Sequence, residues 1–317
     1  MQKGIVIWFF LSLSLFLKAE DTSAYGWKVP HTPFYLGGYV SLNYDEDEVA
    51  KEKFVFDDIA LLLYGKMGKF DILGEFEASD IPLKRQKLKI YCERLRLAYY
   101  LHDDTVIHLG KFNSSVGFWN QSPINVLEDT TTSPQLLKNI FPKRTSGLAI
   151  YQSFDEGDKE LSFTLQHNTD LDDAYNNIMI DRHIGLGYKS DEERFVWRAN
   201  VGYFRKRQKQ EYYYLGFGYQ QELDAWMLMA EAFTKQGEQG DDVPYDIYMQ
   251  ATWSFVNHHD IVFRSEFYKD KNIGLQENIS LLGYTYRPIS SIAIKGEYIK
   301  HSKLPKSRFV ASFSWIF

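Results

Sequence analysis

Twelve charged residues recur at alternate positions among apolar ones, so that the side chains of one strand face could bring them together. Arg94, Arg96, Arg198, Arg264, Lys295 and Arg308 supply cations; Asp71, Glu75, Glu77, Glu231, Glu266 and Glu297 supply carboxylates. Gathered around a water-filled interior, such groups do electrostatic rather than covalent chemistry: they attract, orient or exclude ions. A ladder of guanidinium forks can replace the hydration of an anion, and Arg94, Arg96 and Arg198, with Lys111, are the best candidates for one. Pairs such as Arg264/Glu266 and Lys295/Glu297 would instead neutralise each other locally. Covalent chemistry has little to build on. Ser254 lies near His258 and His259, but both histidines fall in a predicted turn. There is no Gly-x-Ser-x-Gly elbow, metal-spaced His pair or phosphate loop. Cys92 is the one cysteine, which excludes an internal disulfide framework and a Cys-rich metal centre. No enzyme activity, cofactor or metal is implied, and a net charge of −6 argues against a nucleic-acid partner.

Carboxylates that alternate with apolar residues require strands wet on one side only. Phe195, Trp197, Ala199, Val201 and Tyr203 oppose Arg198 and Asn200; Ile247, Met249, Ala251, Trp253 and Phe255 oppose Tyr248, Gln250, Thr252 and Ser254. Sixteen such segments of about ten residues can be placed along the chain, with fourteen or eighteen compatible. The eighth, around Ile184, Leu186 and Tyr188, has the faintest pattern. The fourth changes face: Leu88, Ile90 and Cys92 fall on even positions, but Leu95, Leu97, Tyr99 and Leu101 on odd ones. Either a β-bulge near Glu93 resets it or its first part projects beyond the apolar belt. Aromatic content is 16%, with 22 Tyr and 23 Phe, and mean hydropathy is −0.36. That average suits strands with lipid on one face and water on the other.

The connections alternate. Asp45–Lys53, Ser79–Gln86, Asn113–Thr145, Asn168–Asp181 and their successors are long, whereas Lys66–Lys69, His102–Thr105 and the others after even strands are short. Two-sided alternation of this kind fits an all-β, antiparallel up-and-down transmembrane β-barrel, with an even strand count that returns both ends to one side. Sixteen strands leave an aqueous lumen. Residues 113–145 form the longest break in the pattern, the third loop between strands on its side; loops of such length in compact folds are commonly functional. Trp119, Pro123, Ile124, Val126, Leu127, Leu136, Leu137, Ile140 and Phe141 could pack it against the inner wall, placing Glu128 and Asp129 opposite wall arginines. The alternative is a loop lying over the barrel mouth or against a sister subunit. Met1–Ala19 reads as a signal peptide, with Lys3, an uncharged run Ile5–Leu17 and Leu17-Lys18-Ala19 before Glu20. Residues 20–32 would be a periplasmic leader and 33–317 the barrel. Beyond residue 19, no stretch approaches the roughly 18 apolar residues of a membrane helix.

Two resemblances sharpen these expectations. The segment Ser307–Phe317 puts Phe309, Ala311, Phe313, Trp315 and Phe317 on one face and Arg308, Ser312 and Ser314 on the other. It resembles the closing strand of bacterial outer-membrane β-barrels, which implies the outer membrane as location and Phe317 as the residue read by the barrel-assembly machinery. Gly110-Lys111-Phe112-Asn113-Ser114-Ser115-Val116-Gly117-Phe118 and Arg144-Thr145-Ser146-Gly147-Leu148 resemble the segments that open and follow the third loop in the phosphate-selective porin O/P family. That family often has a proline where Ser114-Ser115 stand here. Membership would imply a sixteen-stranded porin, commonly trimeric, taking up small anions such as phosphate.

Together these features predict an outer-membrane porin for passive diffusion of small hydrophilic solutes and ions. Its narrowing would be formed by Arg94, Arg96, Lys111 and Arg198 opposite Glu128 and Asp129. An anion-selective porin is the alternative, and a plugged structural or adhesin barrel or a lipid hydrolase is a more distant one. The basic clusters at Lys84-Arg85 with Lys87 and Lys89, Lys143-Arg144, and Arg205-Lys206-Arg207 with Lys209 would funnel anions, touch lipopolysaccharide or be plainly solvated.

Overall fold

The computed structural model describes residues 25–46, 53–82, 89–121, 124–169, 171, 176–238, 240 and 242–317. The predicted signal peptide, Pro123, Lys84, Arg85 and Lys87 lie outside them. A two-residue strand, β1 (Trp27–Lys28), precedes sixteen long ones. These are β2 (Phe34–Asp45), β3 (Phe54–Met67), β4 (Phe70–Pro82), β5 (Tyr91–His102), β6 (Thr105–Asn113), β7 (Arg144–Phe154), β8 (Lys159–Gln166) and β9 (Ile180–Asp191). The second half comprises β10 (Phe195–Lys206), β11 (Glu211–Leu223), β12 (Trp226–Gly237), β13 (Val243–Val256), β14 (His259–Asp270), β15 (Leu275–Ile289), β16 (Ile292–His301) and β17 (Arg308–Ile316). Each pairs antiparallel with its sequence neighbours, and β17 pairs with β2, Trp315 opposite Val40, closing a sixteen-stranded barrel. Closure leaves no unpaired edge, the condition for a sheet that faces lipid.

Residues 25–32 of the predicted leader are among those described. Trp27 and Lys28 pair with Leu36 and Tyr35 on β2, in the slot beyond the end of β17. Connections at one end of the barrel run two to four residues, while those at the other run four to thirty. The outer face carries exposed Leu61, Leu63, Leu215, Phe217, Met249, Phe263, Leu282 and Phe313, the apolar belt that alternation predicts. Stacked aromatics mark the short-turn rim, with Trp226 on Trp253 at 5.6 Å and Phe195 on Tyr219 at 5.9 Å. Tyr203–Tyr213 and Tyr44–Phe54 contacts lie toward the long-loop rim. No helix among the described residues is long and apolar enough to cross a membrane.

Two of the register shifts, between β2 and β3 and between β4 and β5, are bulges that bear on the interior. Glu75 pairs with Arg94 but Phe76 with Cys92, so Glu93 is the extra residue that resets the face of β5. On β3, Ser41 pairs with Asp58 but Leu42 with Phe56, which makes Asp57 extra. The faint eighth segment is a full twelve-residue strand, β9. Its inward positions include Gly185 and Gly187, and absent side chains leave half the alternation silent. A methyl added at Gly185 would lie 3.1 Å from the Tyr214 hydroxyl, so the neighbouring aromatic covers the gap.

Candidate functional site

The segment 114–143 leaves β6 and re-enters β7 at adjacent ladder positions, Asn113 opposite Arg144. Its neck is tied by side chains that satisfy backbone groups: Asn120 Nδ2 donates to the Ser114 and Lys143 carbonyls at 2.8 and 3.0 Å, and Gln121 Nε2 donates to Ser114 O at 2.7 Å. From there the loop runs inside the barrel.

Apolar packing holds one side of it. Trp119, Leu136, Leu137, Ile140 and Phe141 form a buried cluster with Phe204, Tyr212, Tyr214, Phe233, Tyr248 and Tyr268 of the wall. Val126 joins a second cluster with Tyr39, Ala60, Leu62, Ala293 and Ile316. Each large apolar side chain buried in this way contributes about 1.5–3 kcal/mol. Leu127 instead stays exposed.

Wall carboxylates supply the directional part. Glu231 accepts the backbone N–H of Phe118 at 2.7 Å and of Trp119 at 3.5 Å, as well as the Tyr248 hydroxyl at 2.7 Å. Glu297 accepts Thr131 N and Thr132 N, both at 3.0 Å, and Glu266 accepts Gln135 N at 2.8 Å. Arg264 pairs with Glu266 at 2.8 Å and donates to Thr132 O at 2.7 Å. Lys295 donates to Asn125 O and, at 3.0 Å, to Asn125 Oδ1; Lys235 donates to Asn139 O at 2.8 Å. Much of the alternating charge on β12–β16 thus holds the loop through hydrogen bonds that would be costly to leave unmade.

The six residues singled out in the sequence fall in separate surroundings. Arg94 is bound to Glu75, which also accepts the Tyr39 hydroxyl at 2.7 Å, and Arg96 is bound to Asp71 at 2.7 Å. Lys111 is fully buried. Arg198 reaches the Gly117 carbonyl at 3.4 Å and lies over the Phe118 ring. Arg96 and Arg198 share the neighbourhood of Tyr151. Asp129 instead lies against β13 and β15, accepting Thr252 Oγ1 at 2.7 Å and facing Arg287 at 3.5 Å. The Glu128 carbonyl accepts Arg287 at 2.8 Å, and enclosure within the barrel raises the Glu128 carboxyl to about 7.

Arg287 stands just past the alternating run of Leu282, Tyr284 and Tyr286, beside a proline that favours a strand end, yet β15 runs on to Ile289. Asp57 and Asp58 were missed for a related reason. Two adjacent aspartates cannot alternate, and only the bulge brings both to the cavity lining. Between the loop and the wall of β2–β5 and β17 lies a cavity of about 440 Å³, lined by Asp45, Asp57, Asp58, Glu77, Glu93, Trp119, Glu128, Lys143 and Arg144 among others. Among the described residues, no group of three or more His, Cys, Asp or Glu is placed to hold a metal. Ser254 bonds Asp260 and His259 bonds the Tyr284 hydroxyl, so serine and histidine are not joined as nucleophile and base.

This is the architecture of the porin barrels. OmpF of Salmonella typhi in complex with daunomycin superposes with a TM-score of 0.69 at 11% identity, over 90% of this chain and 97% of that one. An anion-selective porin from Comamonas acidovorans gives 0.65 at 11% identity, over 90% and 99%. The trimer form of OmpT, an outer-membrane protein of Vibrio cholerae, gives 0.64 at 11% identity, also over 90% and 99%. At such identities the likeness is one of fold. No protein-family model and no curated protein matches the sequence.

Proposed function

We propose that the chain is an outer-membrane porin, a water-filled barrel through which small hydrophilic solutes and ions diffuse, narrowed by residues 114–143. The observation that carries this is the inward loop, held to the wall by Glu231, Glu266 and Glu297 through its own backbone N–H groups. A belt of exposed apolar side chains supports a lipid-embedded location. The trimer form recorded for the Vibrio cholerae relative supports a homotrimer. Phe317, whose backbone N and O both bond Gly38, would be presented to the assembly machinery at the closing seam.

Planar-bilayer conductance of the refolded barrel tests the channel: stable steps are expected. Absence of steps from a folded, heat-modifiable barrel would sink it. The anion-selective reading of the O/P type draws on Arg96 and Arg198, whose Nε atoms lack a hydrogen-bond partner. Diffusion without strong anion preference is the better supported, because Arg94 and Arg96 each face a carboxylate rather than a vacant basic ladder.

A further inference from the structure

We infer that the cavity between the inward loop and β2–β5 is a subsite on the permeation path for an uncharged polyhydroxylated solute, a mono- or disaccharide. The assignment rests on the channel reading above and adds a solute class to it.

The way the lining charges are engaged is the first argument. Arg144 is bound to Glu93, and Arg308 to Asp45 at 2.9 Å. Asp58 shares a hydrogen bond with Glu77, which also accepts the Tyr39 hydroxyl at 2.9 Å. Lys143 and Glu128 attract each other, and Lys138 is drawn to Glu266. Groups that answer one another offer a solute hydrogen-bonding edges rather than an unopposed charge of one sign. Between them, Asn43, Asn113, Thr131, Thr132 and Ser133 add neutral amides and hydroxyls to the lining. The volume of about 440 Å³ lies within the range of roughly 300–1,000 Å³ typical of small-molecule sites.

Unmade hydrogen bonds are the second, independent argument. Glu93 is 3% exposed, yet its Oε2 has no partner, and Trp119, 5% exposed, leaves its indole Nε1 without one. The side-chain oxygen of Asn43 is a third such atom. All three residues line the cavity. Buried polar atoms are rarely left unsatisfied, and those that are call for an explanation such as a bound ligand. Two of these atoms accept and one donates. Chloride offers only acceptor capacity and an ammonium only donors, whereas every hydroxyl of a sugar both donates and accepts.

The test uses the full refolded barrel in a planar bilayer, with KCl carrying the current and sucrose added in steps. A short polyethylene glycol at matched viscosity is the control, since its ether oxygens accept hydrogen bonds but do not donate. Sucrose should interrupt the current saturably and the glycol should not. Trp119→Phe and Asn43→Leu should each raise the half-blocking sucrose concentration severalfold. Stable steps that sucrose and the glycol reduce alike, without saturation, would overturn the sugar site and leave the channel standing. Saturable block unchanged in both variants would place the sugar elsewhere in the lumen and overturn the assignment to this cavity. Absence of steps from a heat-modifiable barrel would remove the channel reading and the sugar site with it.

Discussion

The Glu231 carboxylate on β12 accepts the backbone N–H of Phe118 at 2.7 Å, joining the inward loop to a strand 113 residues further along the chain. The same carboxylate takes Trp119 N and the Tyr248 hydroxyl, so it organises loop and wall together. Glu231→Ala should leave those donors buried without an acceptor, at about 1–3 kcal/mol for each group that water cannot reach. Chemical unfolding of the detergent-folded barrel should show the loss, and single-channel records should become noisier as the loop loosens. A quiet channel of wild-type stability would show that the other anchors, the apolar cluster with Glu266 and Glu297 among them, hold the loop without Glu231.

Gly117 reaches the same carboxylate from the loop side. Its φ is +69°, and a Cβ there would stand 2.5 Å from Glu231 Oε1. Gly117→Ala therefore combines an unfavourable backbone region, costing about 1–2 kcal/mol, with a clash at the anchor. Lowered thermal stability and an altered single-channel conductance are expected. Gly68→Ala is the control, since φ is +60° there but nothing lies within 4 Å; it should lose stability with conductance unchanged.

The barrel was legible in the sequence because lipid and water impose opposite demands on alternate residues, and because loop lengths alternate with strand direction. The bulge at Glu93 was legible too, as a change of parity between Cys92 and Leu95. Contacts made by the inward loop were not. Period two assigns Glu231, Glu266, Lys295 and Glu297 to the interior, but cannot distinguish a carboxylate facing open water from one receiving a backbone N–H. Arg287 stands past the end of the alternating run on β15, and the cavity aspartates were masked by a bulge on β3 that breaks the alternation used to find strands. The partners of the predicted constriction residues depend on where a thirty-residue excursion lands, which no local pattern encodes.

Glu128 gives the barrel a pH dependence of definite sign. Its ordinary value is 4.5, and burial, opposed chiefly by Lys295 and Lys143, raises it to about 7. Between these limits the folded state holds a proton that the unfolded chain has released, so stability is greatest below about 4.5 and falls as pH rises through 7. Chemical unfolding at pH 5 and pH 8 should show a more stable barrel at pH 5. Glu128→Gln should flatten that difference; an unchanged difference in the variant would assign it to another group.

Arg94 and Arg96 each stand beside a carboxylate, Glu75 and Asp71, on the adjacent strand. Replacing both by Gln removes two positive charges and leaves two negative ones on the same wall. If that wall borders the narrow part of the path, the balance of local charge should move ion selectivity toward cations, in the manner of charge rings at constrictions. The shift should appear in the reversal potential under a salt gradient and should shrink at high ionic strength, because screening at 1 M salt cuts the reach of a charge to about 3 Å. Glu75 also accepts the Tyr39 hydroxyl, which helps to keep it in place once its guanidinium partner is gone. A folded double variant with unaltered selectivity would place these arginines away from the constriction and make them fasteners between β4 and β5.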